Sequence, residues 1–220
     1  GLAATRGKVF VLNGNLGGAP GSPSWVSVVD PATNRLATGI DSILLPGPGN
    51  AAFSTITPDG ALYVVNRGPV GTLTEGRLSQ VDPVNRRELG NFGGFGSAPG
   101  PIANNGRDRL YVSSPTEGLM VFDLFSRQVL RGAGNGVPIS GNSSVAVDSR
   151  GRVFVTEPAS GSVFEFRRGE EWKQHARHEI EGATAPWARR DVLGPHDGRA
   201  GAAEGHHRCL RPLRHRSNPG

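Results

Sequence analysis

The sequence predicts an all-β fold made of repeated antiparallel meanders. Three observations predict it. Glycine (33) and proline (17) are abundant among the 220 residues, and glycine costs about 1 kcal/mol in a helix interior. The β-branched and aromatic residues fall in short runs between Gly, Pro, Asn and Asp, the pattern of strands punctuated by turns. One short β motif also recurs four times: Gly7-Lys8-Val9-Phe10-Val11, Gly60-Ala61-Leu62-Tyr63-Val64, Asp108-Arg109-Leu110-Tyr111-Val112 and Gly151-Arg152-Val153-Phe154-Val155. The spacings from Val11 to Val64, Val112 and Val155 are 53, 48 and 43 residues.

Each element of the unit has a local cause. Upstream of the motif, Ser54-Thr55-Ile56-Thr57-Pro58-Asp59-Gly60 matches Val145-Ala146-Val147-Asp148-Ser149-Arg150-Gly151. This reads as a first strand and a hairpin turn whose Gly supplies the positive φ. The motif itself is the second strand. Two positions beyond its last Val stands a polar residue: Asn13, Asn66, Ser114 or Glu157. A Gly/Pro/Ser-rich loop leads to a third strand, over residues 25–30, 78–82, 119–123 and 162–166. The first three of these end in Asp30, Asp82 and Asp123, and two continue into Pro. Asp bonds the backbone ahead of it and Pro presets φ, so these are turn residues. Polar stretches at 34–37, 85–89 and 126–130 read as a half-exposed outer strand. A unit of about 45 residues with four strands is the β-propeller pattern. The expectation is about four four-stranded blades over residues 1–174, a partial propeller, followed by an irregular C-terminal tail at 175–220.

Two stretches carry a family resemblance. Val9-Phe10-Val11-Leu12-Asn13, with Val26-Ser27-Val28-Val29-Asp30-Pro31-Ala32-Thr33-Asn34, resembles the YVTN-type β-propeller repeat of YncE-like proteins. Residues 145–155 resemble the related NHL and gluconolactonase-like repeats. The resemblance covers residues 1 to about 174. It implies a ring of six or seven blades, so four point to a fragment with blades missing. The competing expectation is circular closure, with the C-terminus supplying a strand to the first blade. The resemblance also implies an extracytoplasmic, bacterial setting, although the chain carries no signal-like segment. An open arc invites self-association through its exposed blades.

The tail has a different composition. Residues 176–220 hold five Ile, Val or Leu and eight Arg against five Asp and Glu, and all six His lie at or after His175. They therefore carry +3 of the net charge of +5, and the basic balance is weak grounds for a nucleic-acid partner. Such a segment buries too little apolar area to offset its ordering entropy. It reads as a disordered basic tail or as an off-frame translation of GC-rich DNA. His206, His207, Cys209 and His215 are metal-ligand types, but their spacing fits no standard zinc site. With a single Cys, the chain forms no internal disulfide. No apolar run reaches the roughly 20 residues that cross a bilayer.

Functional candidates are few. There is no G-x-S-x-G elbow, and the glycine-rich stretch 91–96 lacks the strand and helix of a phosphate loop. That stretch reads as a mobile interblade loop. No catalytic or metal-ligating residue is assigned. Asn13, Asn66, Ser114 and Glu157 would sit at one mouth of the propeller channel, as ligand-binding side chains or as local closures of the strand-end turn. The expected function is a noncatalytic binding or interaction module without a cofactor, for an unidentified small molecule or protein, with no specific nucleic acid. The alternative is a metal-dependent, gluconolactonase-like hydrolase. The resemblance implies a divalent cation held by carboxylates and Asn at the starts of inner strands. Here those places fall near Asn50, Ala52, Asn142 and Ser143, without an acidic residue.

Overall fold

The structure, a computed structural model, describes residues 1–14, 19, 21–69, 72, 74–167 and 176–179. These belong to one compact unit, residues 1–184; a second unit, 185–220, lies outside the described residues. Four antiparallel sheets account for the fold. The first contains β1 (Leu2–Thr5), β2 (Lys8–Asn13), β3 (Ser24–Asp30), β4 (Arg35–Leu36) and β5 (Ser42–Leu45). The second is β6 (Ala51–Ile56), β7 (Leu62–Asn66), β8 (Arg77–Asp82) and β9 (Arg87–Phe92). The third is β10 (Ile102–Asn104), β11 (Arg109–Ser114), β12 (Gly118–Asp123) and β13 (Gln128–Arg131). The fourth is β14 (Ser144–Val147), β15 (Val153–Glu157), β16 (Ser162–Phe166) and β17 (Ala176–Glu179). The innermost strands adjoin in chain order, β1 beside β6, β6 beside β10 and β10 beside β14. The four sheets are the blades of a partial β-propeller.

The turns follow the chemistry expected of them. Gly7, Gly60 and Gly151 take φ of 67°, 86° and 79° in the hairpins between first and second strands. Asp30 Oδ1 accepts from the Ala32 amide, Asp82 Oδ1 from Val84 and Asn85, and Asp123 Oδ1 from Phe125 and Ser126. Four residues after each Asp, Asn34, Arg86 and Arg127 adopt positive φ.

These aspartates are held below the ordinary carboxylate pKa of about 3.9. Asp30 is lowered chiefly by its hydrogen bond from Lys8, and Asp82 by that from the Asn85 side chain. At Asp123 burial pushes upward, but hydrogen bonds from Ser126 and the nearby Arg109 outweigh it. A lowered folded-state pKa stabilises the fold above the unfolded value and loses that stabilisation as pH falls through the folded one. Melting temperature is therefore expected to drop on acidification below about pH 4. The triple variant Asp30→Asn, Asp82→Asn, Asp123→Asn keeps a turn acceptor, does not titrate, and is expected to flatten that drop. An unchanged slope would show that other groups govern it.

The core lies between blades. Phe10, Leu12, Val26 and Val28 of blade 1 pack against Leu62, Val64 and Val81 of blade 2. Tyr63, Val65 and Leu78 of blade 2 meet Leu110, Val112, Met120 and Phe122 of blade 3. Tyr111, Leu119 and Val121 of blade 3 meet Val145, Val153, Val155 and Phe166 of blade 4. Each blade thus uses one face of its pleat toward the preceding blade and the other toward the next, as period-2 alternation requires. Burial lifts the Tyr63 phenol, with a push from the Asp59 charge, to about 12.

Three expectations are revised. The boundary after residue 174 falls inside blade 4, since β17 pairs with β16 from Ser162↔Glu179 to Glu165↔Ala176. An outermost strand is held by backbone pairing at one edge, so a polar stretch without alternation can supply it. The first blade has its own inner strand, β1 on β2, and among the described residues no C-terminal strand joins its sheet. The stretch 91–96 is built into the fold: Asn91 and Phe92 belong to β9, Phe95 is buried in the core, and the Gly76 amide donates to Gly96 O. The rest of the expected tail, with His206, His207, Cys209 and His215, lies outside the described residues.

Candidate functional site

Asn13, Asn66, Ser114 and Glu157 are the last residues of β2, β7, β11 and β15. Antiparallel pairing puts the starts of the inner strands at the same end, as in Ala51↔Asn66 and Ser144↔Thr156. One end of the blades therefore gathers the loops after the second strands and the connections between blades.

The four side chains are engaged by their surroundings. Asn13 Nδ2 donates to Val11 O and Ser27 Oγ, both at 3.0 Å. Asn66 Nδ2 donates to Ser79 Oγ at 2.9 Å, the same link one blade on. Asn66 Oδ1 accepts from Ser24 Oγ of blade 1 at 3.3 Å, and Ser24 Oγ accepts from the Ala51 amide at 3.0 Å. Ser114 Oγ donates to Ser97 O at 2.8 Å and accepts from the Thr116 and Glu117 amides. Glu157 accepts from the Ser160 hydroxyl. Asn66 and Ser114 are buried; Asn13 and Glu157 are half-buried. Each side chain takes part in closing a strand-end turn or fastening one blade to another.

Next to Ser114 the same end opens into a cleft of about 410 Å³. Thr116, Glu117 and Gly118 form one wall; Gly134, Gly136, Pro138, Ile139 and Ser140 form the other. The second wall is the connection from β13 to β14. It folds back so that Val137 and Leu119 exchange backbone hydrogen bonds at 2.8 and 2.9 Å. Val137 and Ile139 drop into the core, while Pro138 and Ser140 face outward, exposed. Blade 1 uses the same device, with Ile43 and Leu45 of β5 buried against β3. Glu117 ties the walls together: Oε1 accepts from the Ser97 amide at 3.1 Å and Oε2 from the Gly134 amide at 3.2 Å.

Sequence reasoning missed this cleft. The signal was Ile43-Leu44-Leu45-Pro46-Gly47 beside Val137-Pro138-Ile139-Ser140-Gly141, two short apolar segments that run into glycine after an outer strand. Glu117→Ala frees two amides and is expected to cost about 1–2 kcal/mol. Hydrogen exchange at Ser97 and Gly134 is expected to accelerate, with β7 unaffected. Unchanged exchange at both amides would mean that Glu117 does not hold the walls.

The donor set at the inner-strand starts does not suit a hard divalent cation. Such ions take oxygen ligands, carboxylates foremost, whereas Asn50, Ala52, Asn142 and Ser143 stand here. Among the described residues no three His, Cys, Asp or Glu side chains cluster to hold a metal. Asn142 is buried, its Nδ2 donates to Ile139 O at 3.2 Å, and its Oδ1 is buried without a hydrogen-bond partner. Among the described residues no helix is long and apolar enough to cross a membrane. No family model matches the chain, and no curated protein matches it.

Proposed function

We propose that the chain is a noncatalytic binding or interaction module of the YVTN/NHL propeller type, acting outside the cytoplasm. The observation that supports it most is the cleft at residues 116–140. Its walls are short loops fixed by backbone pairing and by Glu117. Loops held on a rigid scaffold are where binding concentrates. The walls combine Gly backbone, Pro138 and two hydroxyl side chains, Thr116 and Ser140, a lining suited to a peptide segment or a small polar molecule. Asn13, Asn66, Ser114 and Glu157 then serve to hold the loops at this end, with Ser114 closest to the cleft in sequence.

A fragment screen by ligand-observed NMR tests this reading. Hits are expected whose signals revert in Ser140→Trp, which fills the cleft from its rim, and persist in Phe125→Ser on the β12–β13 turn. Hits indifferent to Ser140→Trp would move binding elsewhere. Calcium-dependent turnover of a lactone or ester panel would overturn this reading in favour of a cation-dependent hydrolase.

A further inference from the structure

Blade 2 carries a polar residue where its neighbours are apolar. Phe10, Tyr63 and Tyr111 pair directly with Val28, Gln80 and Val121 in blades 1, 2 and 3. Directly paired residues share a face, and these faces pack into the next blade. Val28 and Val121 are 0% exposed. Gln80 is 5% exposed, and its Oε1 is buried without a hydrogen-bond partner. An orphaned amide oxygen is costly where valine serves the other blades, and it points to a partner from outside the chain.

Gln80 lines a pocket of about 310 Å³ at the end of the blades opposite the cleft. The pocket lies on the β6–β7 hairpin and the β8–β9 turn of blade 2, with Arg6 reaching in from blade 1 and Arg127 from blade 3. Arg6 is seated over the hairpin: a Cβ on Gly60 would lie 3.0 Å from its Nη2. Among the described residues neither guanidinium has an ion pair or a hydrogen bond. Two carboxylates balance them, Asp59 and Asp82. Asp82 spends both oxygens on its own turn. Asp59 accepts through Oδ1 from the Thr57 hydroxyl and the Ala61 amide, and its Oδ2 is left over among the described residues. Pro83, Val84 and Leu89 supply an apolar wall.

We propose that this pocket binds an α-amino acid with an aliphatic side chain. A guanidinium fork matches a carboxylate, so Arg6 and Arg127 take the α-carboxylate. The ammonium has three donors. They go to Asp59 Oδ2 and to Gln80, whose terminal torsion is soft enough to present the oxygen. The aliphatic side chain lies on the apolar wall. A ligand with one charge of each sign suits a site with two of each. A simple anion would meet the two aspartates, and a simple amine the two arginines. The site is separate from the cleft at residues 116–140 and does not depend on it.

Calorimetric titration of the full chain with leucine tests it. Saturable binding is expected. Isovalerate, which lacks the ammonium, and isopentylamine, which lacks the carboxylate, are each expected to bind at least tenfold more weakly. Gln80→Val installs the residue that blades 1 and 3 hold in this register. It is expected to raise the melting temperature and to weaken leucine at least tenfold. Arg6→Ala and Arg127→Ala, both at exposed positions, are expected to weaken leucine with the fold intact by far-UV circular dichroism. Ser140→Trp is expected to leave it unchanged, which separates this pocket from the cleft. Absence of saturable leucine binding overturns the proposal. So does binding that survives Gln80→Val and Arg127→Ala, or isovalerate binding as tightly as leucine.

Discussion

Phe122→Ala is expected to destabilise the fold by about 3–5 kcal/mol, the range for removing a fully buried aromatic side chain. Phe122 is 0% exposed at the middle of the interface between blades 2 and 3. Three rings surround it: Phe92 at 4.8 Å, Tyr63 at 6.1 Å and Phe95 at 6.4 Å between centroids, all tilted. Such pairs add about 0.5–1.5 kcal/mol beyond the area they bury. The neighbours come from β7, β9 and the connection after β9, so one residue holds two blades and a loop in register. Urea unfolding measures the effect. Phe154→Ala makes the comparison sharp, since Phe154 occupies the place of Tyr111 in its blade but is only half-buried. It is expected to cost well under half as much. Similar costs would mean that burial between blades is not what stabilises the fold.

The second large effect is expected at Gly118, the first residue of β12 and part of the cleft wall. Its φ is +83°, and a Cβ placed there would lie 2.1 Å from Val137 O. That oxygen accepts the Leu119 amide and cannot move without losing the backbone pair that forms the cleft. Gly118→Ala therefore combines a left-handed backbone, about 1–2 kcal/mol, with overpacking of about 1–3 kcal/mol. A loss of about 2–5 kcal/mol is expected by the same unfolding assay, together with faster exchange of the Val137 amide. Gly7→Ala is the control, since φ is also positive there but nothing lies within 4 Å of the added methyl. It is expected to show the backbone part alone.

Much of the scaffold was legible because its signals are local. Asp30, Asp82 and Asp123 were read as turn residues, and each bonds the backbone ahead of it. Gly60 and Gly151 were read as hairpin glycines, and both have positive φ. The second strands fall where the recurring motif lies, because its alternation feeds two interfaces at once. The losses have a common physical origin. β17 and β5 are outer strands defined by pairing with a neighbour, and pairing leaves little trace in composition. Phe95 was hidden by the glycines around it, which suggested a loop although an aromatic among them fills the core. At the candidate site the equivalence of Asn13, Asn66, Ser114 and Glu157 along the chain was readable. The partners of Asn66 and Ser114 across blades and connections were not, because Ser24 and Ser97 reach them only through tertiary packing.

The central claim is that four repeated sheets pack face to face in chain order, and that this packing holds the loop end where the cleft lies. Side-chain nuclear Overhauser effects test it most directly. The account predicts cross-peaks from Tyr63 and Val65 to Leu110, Val112 and Phe122, and from Tyr111 and Val121 to Val153 and Val155. Strand pairing within each sheet without these cross-peaks between sheets would contradict it.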